Sequence, residues 1–220
     1  MRLAETSALY NPLEHILGSP GLIRVARVLA QHGGGLDVSD ISRRAKLSLP
    51  STRAALRRLR ESEIVTAVGA GRSMVSSLRT QHPLTPALVA LFSAEEEYAN
   101  DVLGAIRRAA DSLEPTPLAV WLYGSVARGA DTPASDIDVA IVTAGAEPAE
   151  QADALRESIT TELGGGDRRV SVVALGPRDV MRLARSKAKF WSELRRDAVV
   201  LAGDAPDGML KQIRRKATKR

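Results

Sequence analysis

Val120-Trp121-Leu122-Tyr123-Gly124-Ser125-Val126-Ala127-Arg128-Gly129, then a short polar loop, then Ser135-Asp136-Ile137-Asp138-Val139-Ala140-Ile141-Val142, is the stretch that decides how this chain folds. One apolar run ends in Gly-Ser, and a second carries two carboxylates one residue apart. Along a strand, residues i and i+2 share a face. Asp136 and Asp138 therefore project together, while Ile137 and Val139 face the opposite way, into a core. Two neighbouring carboxylates repel unless a divalent cation lies between them. A Gly-Ser turn that opens a short helix offers N–H groups and a hydroxyl to a phosphate. A phosphate cradle beside paired carboxylates is the equipment of phosphoryl or nucleotidyl transfer.

The pattern of an apolar residue, Gly124-Ser125, ten intervening residues and Asp136-Ile137-Asp138 between apolar neighbours resembles the signature of the DNA polymerase β superfamily of nucleotidyltransferases. It is most similar to the minimal, MNT-type bacterial members, over about residues 118–203. The resemblance implies transfer of a nucleotide from a nucleoside triphosphate: an acceptor hydroxyl attacks the α-phosphorus and pyrophosphate leaves. It implies Mg2+ held by Asp136 and Asp138 as the metal and catalytic pair, with Gly124, Ser125 and Arg128 toward the nucleotide. Arg128 has a second reading, favoured here, as the partner of an acidic neighbour. The superfamily carries a third carboxylate on the next strand. The matching position here is Ser171, between Val170 and Val172, and a hydroxyl is a poor ligand and a poor base. Asp167 lies four residues earlier, in a turn. The Asp pair can bind a metal and a nucleotide with or without transfer, and both outcomes stand open at this point.

A length of 220 residues, 44% of them hydrophobic, suits one large or two small globular domains. The chain has no cysteine, so disulfides and thiolate metal sites are excluded. His15, His32 and His82 show no metal-ligand spacing. No apolar run approaches the roughly 18 residues of a membrane span, and residues 1–6 do not read as a signal peptide, so a cytoplasmic chain is expected. The net charge of +5 is unevenly spread: Leu22–Thr80 holds eleven Lys/Arg against four Asp/Glu, and Gln81–Leu210 holds thirteen against twenty. Lys211–Arg220 holds six basic residues and no acid. A basic N-terminal part points to a polyanionic partner.

Within that part, Pro20–Gln31 is apolar at helical spacing and is stopped by Gly33-Gly34-Gly35. A short helix over about 37–45 follows, capped by Asp37 or Ser39. After a turn at 46–48 comes a helix capped by Ser48, with Pro50 in its first turn and Thr52, Ala55, Leu56 and Leu59 as its buried stripe. Two strands, 64–68 and 73–78, flank a turn tipped by Arg72. This order resembles the winged helix-turn-helix of MarR- and ArsR-like bacterial regulators, which bind double-stranded DNA. The resemblance implies Ser51, Thr52, Arg53 and Arg57 at base edges, with Arg58 on the same helix. Arg43, Arg44 and Lys46 would meet phosphates, and Arg72 at the wing tip would reach the flanking backbone or the minor groove.

The expected fold class is α+β. Residues 1–82 form a winged helix-turn-helix domain and 83–114 a linker or dimerisation helix. Residues 115–205 form an α/β nucleotidyltransferase fold with a small mixed sheet, and 206–220 a basic tail. The linker helix serves either a homodimer or only the core, and Glu95-Glu96-Glu97 reads as a solvated interruption. Asp179–Arg195 reads as one amphipathic helix. The tail reads as disordered or frayed, for solubility or for non-specific nucleic-acid contact. Two functions follow. One is a DNA-binding transcriptional regulator whose C-terminal domain binds Mg-NTP. The alternative is an active nucleotidyltransferase acting on a small molecule, a tRNA or a protein, with the winged helix as a targeting module.

Overall fold

A computed structural model describes residues 7–71, 74–144, 147–164, 168–186 and 188–218. Arg72 and Asp167, which carried expectations above, lie outside the described residues. The chain divides into two compact units, one of residues 10–98 and one of residues 1–9 with 99–220. The division falls inside a helix, and residues 7–9 go with the second unit.

In the first unit, α1 (Pro12–Ile16) precedes α2 (Pro20–His32), which ends on Gly33 at φ 69°. Strand β1 (Leu36–Asp37) leads into α3 (Val38–Ala45), whose first turn is capped by the Asp37 carboxylate accepting from the Asp40 N–H. Helix α4 (Leu49–Glu61) is capped by Ser48, whose hydroxyl accepts from Ser51 N–H. Strands β2 (Val65–Val68) and β3 (Val75–Leu78) form a hairpin, and β3 also pairs with β1, all antiparallel. Val25, Leu29, Ile41, Ala55, Leu56, Leu59 and Val65 make the core, closed by Phe92 of α5 (Thr85–Asp111). The four residues expected as the buried stripe of α4, Thr52, Ala55, Leu56 and Leu59, are its buried residues.

The acidic run in α5 is not uniformly solvated. Glu95 is 5% exposed and takes Arg27 Nε at 2.6 Å and the Leu13 N–H at 3.0 Å. Arg27 also reaches Glu14 at 2.9 Å, and Arg24 reaches Glu14 at 3.0 Å. Burial opposes the charge on Arg27, but Glu95 and Glu14 outweigh it and hold its pKa above the ordinary arginine value. Removing one member of such a cluster leaves a buried charge uncompensated.

In the second unit a mixed sheet runs in the order β6-β5-β4-β7 among the described residues. It is built from β4 (Ala119–Tyr123), β5 (Ile137–Val142), β6 (Val170–Leu175) and β7 (Val199–Gly203). β5 and β6 are parallel, joined over α7 (Pro148–Glu162), and the other pairs are antiparallel. Alternation sorts the side chains. Ala119, Trp121, Ala140, Val142 and Leu175 face α8 (Pro177–Arg185), α9 (Lys189–Asp197) and α10 (Pro206–Thr218). Trp121 meets Trp191 edge-on with centroids 6.3 Å apart, and its ring N–H donates to the Asp204 carbonyl at 2.8 Å. Val120, Leu122, Val139 and Ile141, of opposite parity, are also fully buried. The later half of α5 lies in this unit, with Arg107 donating to the Leu201 carbonyl of β7 at 3.2 Å.

Two expectations fail here. The helix expected over 179–195 is broken into α8 and α9, so that Val180 from one and Trp191 and Leu194 from the other all reach the same core. The expected tail is α10, an ordered helix anchored by Met209 and Ile213. Its basic residues occupy the outer side of an amphipathic helix.

Candidate functional site

Tyr123 is the last residue of β4 and Gly124 the first of α6 (Gly124–Arg128). The chain reverses there because Gly124 takes φ 74°, a left-handed value that costs a side chain energy. The position also lacks space: a Cβ on Gly124 would lie 2.1 Å from Asp138 Oδ2. The glycine thus lets the turn close directly on the carboxylate.

Asp136 immediately precedes β5, and Asp138 is its second residue. Both share parity with Ala140 and Val142, so both face the α8/α9 side of the sheet. Burial raises the Asp138 pKa above the ordinary carboxylate range, Asp136 raises it further, and Arg128 pulls against them. The two expected carboxylates therefore do converge, at an energetic cost that a cation would relieve. Asp136 is also met by Arg169 at 3.0 Å.

The neighbouring strands complete the site by register. Asp138 pairs with Tyr123 on β4 and with Ser171 on β6. Ser171 thus stands beside the aspartate where a third carboxylate was sought, and it hydrogen-bonds to the Tyr123 phenol. Burial, and next the charge of Asp138, push the Tyr123 pKa up to about 12, so the phenol stays protonated at neutral pH. Its ring packs edge-on against Phe190, centroids 5.3 Å apart. Among the described residues no group of three His, Asp or Glu gathers as a metal cage. Two carboxylates beside a turn with room for nothing larger than glycine suit one divalent cation. Ser171 is not a ligand set for a second.

Arg128 has the acidic partner anticipated for it, lying 3.8 Å from Asp197. Asp197 is held more closely by Arg196, at 2.8 and 2.7 Å. Ser125 lies in the first turn of α6, where its carbonyl accepts from Ala130 N–H at 2.9 Å.

A buried cluster that the motif does not reveal braces the loop before Asp136. Asp131 is 1% exposed. It accepts from the Ser7 hydroxyl, from the Leu9 N–H at 3.0 Å and from Arg168. Arg168 also donates to the Ser135 carbonyl at 3.1 Å, and Ile137 N–H donates to the Arg169 carbonyl at 2.9 Å. Asp131 sits in a polar loop and Ser7 far away in sequence, so only folding brings them together. In the sequence Asp131 and the Arg168-Arg169 pair stand just before the segments that become β5 and β6.

In the first unit, Ser51, Arg53, Arg57 and Arg58 are exposed on α4, and Arg43, Arg44 and Lys46 near the end of α3. Arg43 is paired with Asp40. Arg53, Arg57 and Arg60 border a groove of about 670 Å³ whose far side includes Gly71 and Met74. Thr52 is a correction. It is fully buried, and its hydroxyl donates to the Ser48 carbonyl at 3.0 Å, so it cannot meet a base edge. Position 52 falls on the inner stripe of α4, which a helix cannot present outward as well.

Residues 103–200 match the family model of the nucleotidyltransferase domain. No curated protein matches the chain. Among solved structures, a mutant of the toxin–antitoxin MntA–HpeT is similar at 17% identity and TM-score 0.38, over 53% of this chain and 87% of that one. A toxin–antitoxin with AMP-PNP is similar at 18% identity and TM-score 0.36, over 55% and 86%. No described helix is long and apolar enough to cross a membrane.

Proposed function

We propose that the 103–200 domain transfers a nucleotide from a nucleoside triphosphate to an acceptor hydroxyl. The observation that carries this is the closure of the Gly124-Ser125 turn onto Asp138, with Asp136 on the same face. Together with the family match, it favours nucleotidyl transfer over a regulator that only binds nucleotide. Asp136 and Asp138 are the residues that would hold Mg2+, which when bound offsets the charge of the triphosphate. Gly124 leaves the backbone open to an outer phosphate, and Ser125 offers its hydroxyl there. Arg128, tied to Asp197, shapes the field at Asp138 more than it grips a ligand. Neither Ser171 nor the protonated Tyr123 takes a proton well, so the acceptor hydroxyl receives little general-base help and transfer is slow.

The test is incubation with each labelled triphosphate and magnesium, scoring pyrophosphate and labelled product. Release that vanishes in the Asp136→Asn/Asp138→Asn protein supports the reading, and Ser171→Asp should raise the rate. Release that is unchanged in the double variant would place the chemistry elsewhere.

A second reading concerns the 10–98 unit. Helices α2, α3 and α4 followed by the β2–β3 hairpin, with Arg53, Arg57 and Arg58 exposed on α4, support a winged helix-turn-helix that binds double-stranded DNA as a targeting module. Leu84, Leu91 and Tyr98 are exposed at seven-residue spacing around the start and along the first half of α5, which supports a homodimer through that helix. Duplex binding and sedimentation of the intact chain test the two statements.

A further inference from the structure

The chain holds two phenylalanines, and it uses them differently. Phe92 is 2% exposed and closes the core of the first unit. Phe190, the second residue of α9, is only partly buried, and so is Tyr123. Trp121 and Trp191 fill the core beneath α9, and Tyr123 and Phe190 continue the row to its rim, beside Asp138. The Phe190 ring meets the Tyr123 ring edge-on, with centroids 5.3 Å apart and planes at 82°. Three observations fix where this ring pair stands. Tyr123 is the cross-strand partner of Asp138, and such partners project from one face of a sheet. Its phenol hydrogen-bonds to Ser171, and β5 lies between β4 and β6, so the Tyr123 ring spans β5 and is tied at its outer end. Tyr123 also directly precedes Gly124, which makes the ring pair continuous with the turn of α6. Helix α9 packs on α6 and runs from Phe190 to Asp197, which lies 3.8 Å from Arg128. Those seven residues rise about 10 Å, a length of the order of a nucleoside monophosphate.

We propose that Phe190, set against Tyr123, is the platform on which the base of the nucleoside triphosphate stacks. That a triphosphate occupies the Gly124-Ser125 turn rests on the nucleotidyl-transfer reading; that its base meets Phe190 is the added step. A base lies one sugar beyond the α-phosphate. With the phosphates at the turn and the metal at Asp138, the nucleoside falls beside the residue that precedes the turn, which is Tyr123. The chain itself ties the rings to the phosphate turn, and this selects the nucleotide rather than the acceptor as their ligand. Stacking needs a π-face and no hydrogen-bond partner, and the Tyr123 phenol is already engaged by Ser171. The platform therefore takes any base. Ser171 becomes a positioning residue: the hydroxyl that stands in place of a third carboxylate holds the Tyr123 ring against which Phe190 packs.

The experiment is calorimetric titration of the full chain, in magnesium, with two ligands. One is α,β-methylene-ATP, which cannot lose pyrophosphate, and the other is tripolyphosphate, which has no base. The wild type should bind the nucleotide about tenfold or more tighter than tripolyphosphate. Phe190→Leu should lose that advantage and still bind tripolyphosphate as the wild type does. Phe190→Tyr, which restores a ring, should regain it. Phe190→Met, unbranched and adaptable, replaces the leucine variant if that one does not fold, and circular dichroism checks each protein. Equal affinity of the wild type for the two ligands overturns the platform. So does a Phe190→Leu protein that keeps the nucleotide's advantage or weakens both ligands alike, and so does Phe190→Tyr behaving like Phe190→Leu. Binding of neither ligand by the wild type removes the phosphate turn as well, whereas tripolyphosphate binding without a nucleotide advantage removes the base platform alone.

Discussion

Gly124 is the residue on which the site's geometry turns. An added methyl would meet Asp138 Oδ2 at 2.1 Å on a backbone already at φ 74°. Gly124→Ala should abolish nucleotide transfer and destabilise the fold by about 1–3 kcal/mol. Gly164 has a similar φ of 69°, but a methyl added there would find nothing within 4 Å, so Gly164→Ala should cost only about 1–2 kcal/mol and keep activity. Equal activity losses in the two variants would remove the special role of Gly124. Asp138 makes the opposite kind of prediction. Its native pKa is raised by burial and by Asp136, so the native state binds that proton more tightly than the unfolded chain does. The resulting stabilisation is present below the unfolded carboxylate pKa of about 3.9 and is lost as pH rises through the native value. At neutral pH the ionised group therefore strains the ligand-free protein. Asp138→Asn should raise the Tm near pH 7 while eliminating transfer, and a lower Tm would contradict this account.

At the scale of elements, α4 shows how one helix divides its labour. Thr52, Ala55, Leu56 and Leu59 hold it to the core, and Arg53, Arg57 and Arg58 are left outside. If the exposed side reads DNA, Arg53→Ala and Arg57→Ala should each weaken binding to a selected operator by about 1–3 kcal/mol. Arg44→Ala, nearer the expected phosphates, should weaken all duplexes alike and flatten the salt dependence. A titration in which all three variants bind like the wild type would make α4 a solvated face. Much of this was legible beforehand: the Asp37 and Ser48 caps, the Gly33 stop and the inner stripe follow from local rules that need no partner. The break between α8 and α9 was not legible. No Pro or Gly interrupts 179–195, and the chain bends there because Val180, Trp191 and Leu194 must all reach one core.

Across the whole molecule, contacts distant in sequence fix the loop that leads into the carboxylates. Ser7, Leu9, Asp131 and Arg168 meet in one buried cluster, and Arg168 also holds the Ser135 carbonyl. Asp131→Ala would leave Arg168, 15% exposed, without its counter-charge. The expected cost in a denaturant melt is about 3–5 kcal/mol, with transfer lost even where the protein still folds. A loss under about 1 kcal/mol would show that the cluster is incidental. The sequence alone determined the Gly-Ser turn, the shared face of Asp136 and Asp138 and the caps of α3 and α4, because strand alternation and capping act over a few residues. It also marked Ser171 as the residue in place of a third carboxylate, and the parallel register of β5 and β6 put it beside Asp138. Only the tertiary structure decided that Glu95 is buried, that Thr52 is turned inward, that α10 is packed rather than loose and that Asp131 braces the site. Each depends on which surfaces meet after folding, and burial between distant segments leaves no periodicity for a local reading to find.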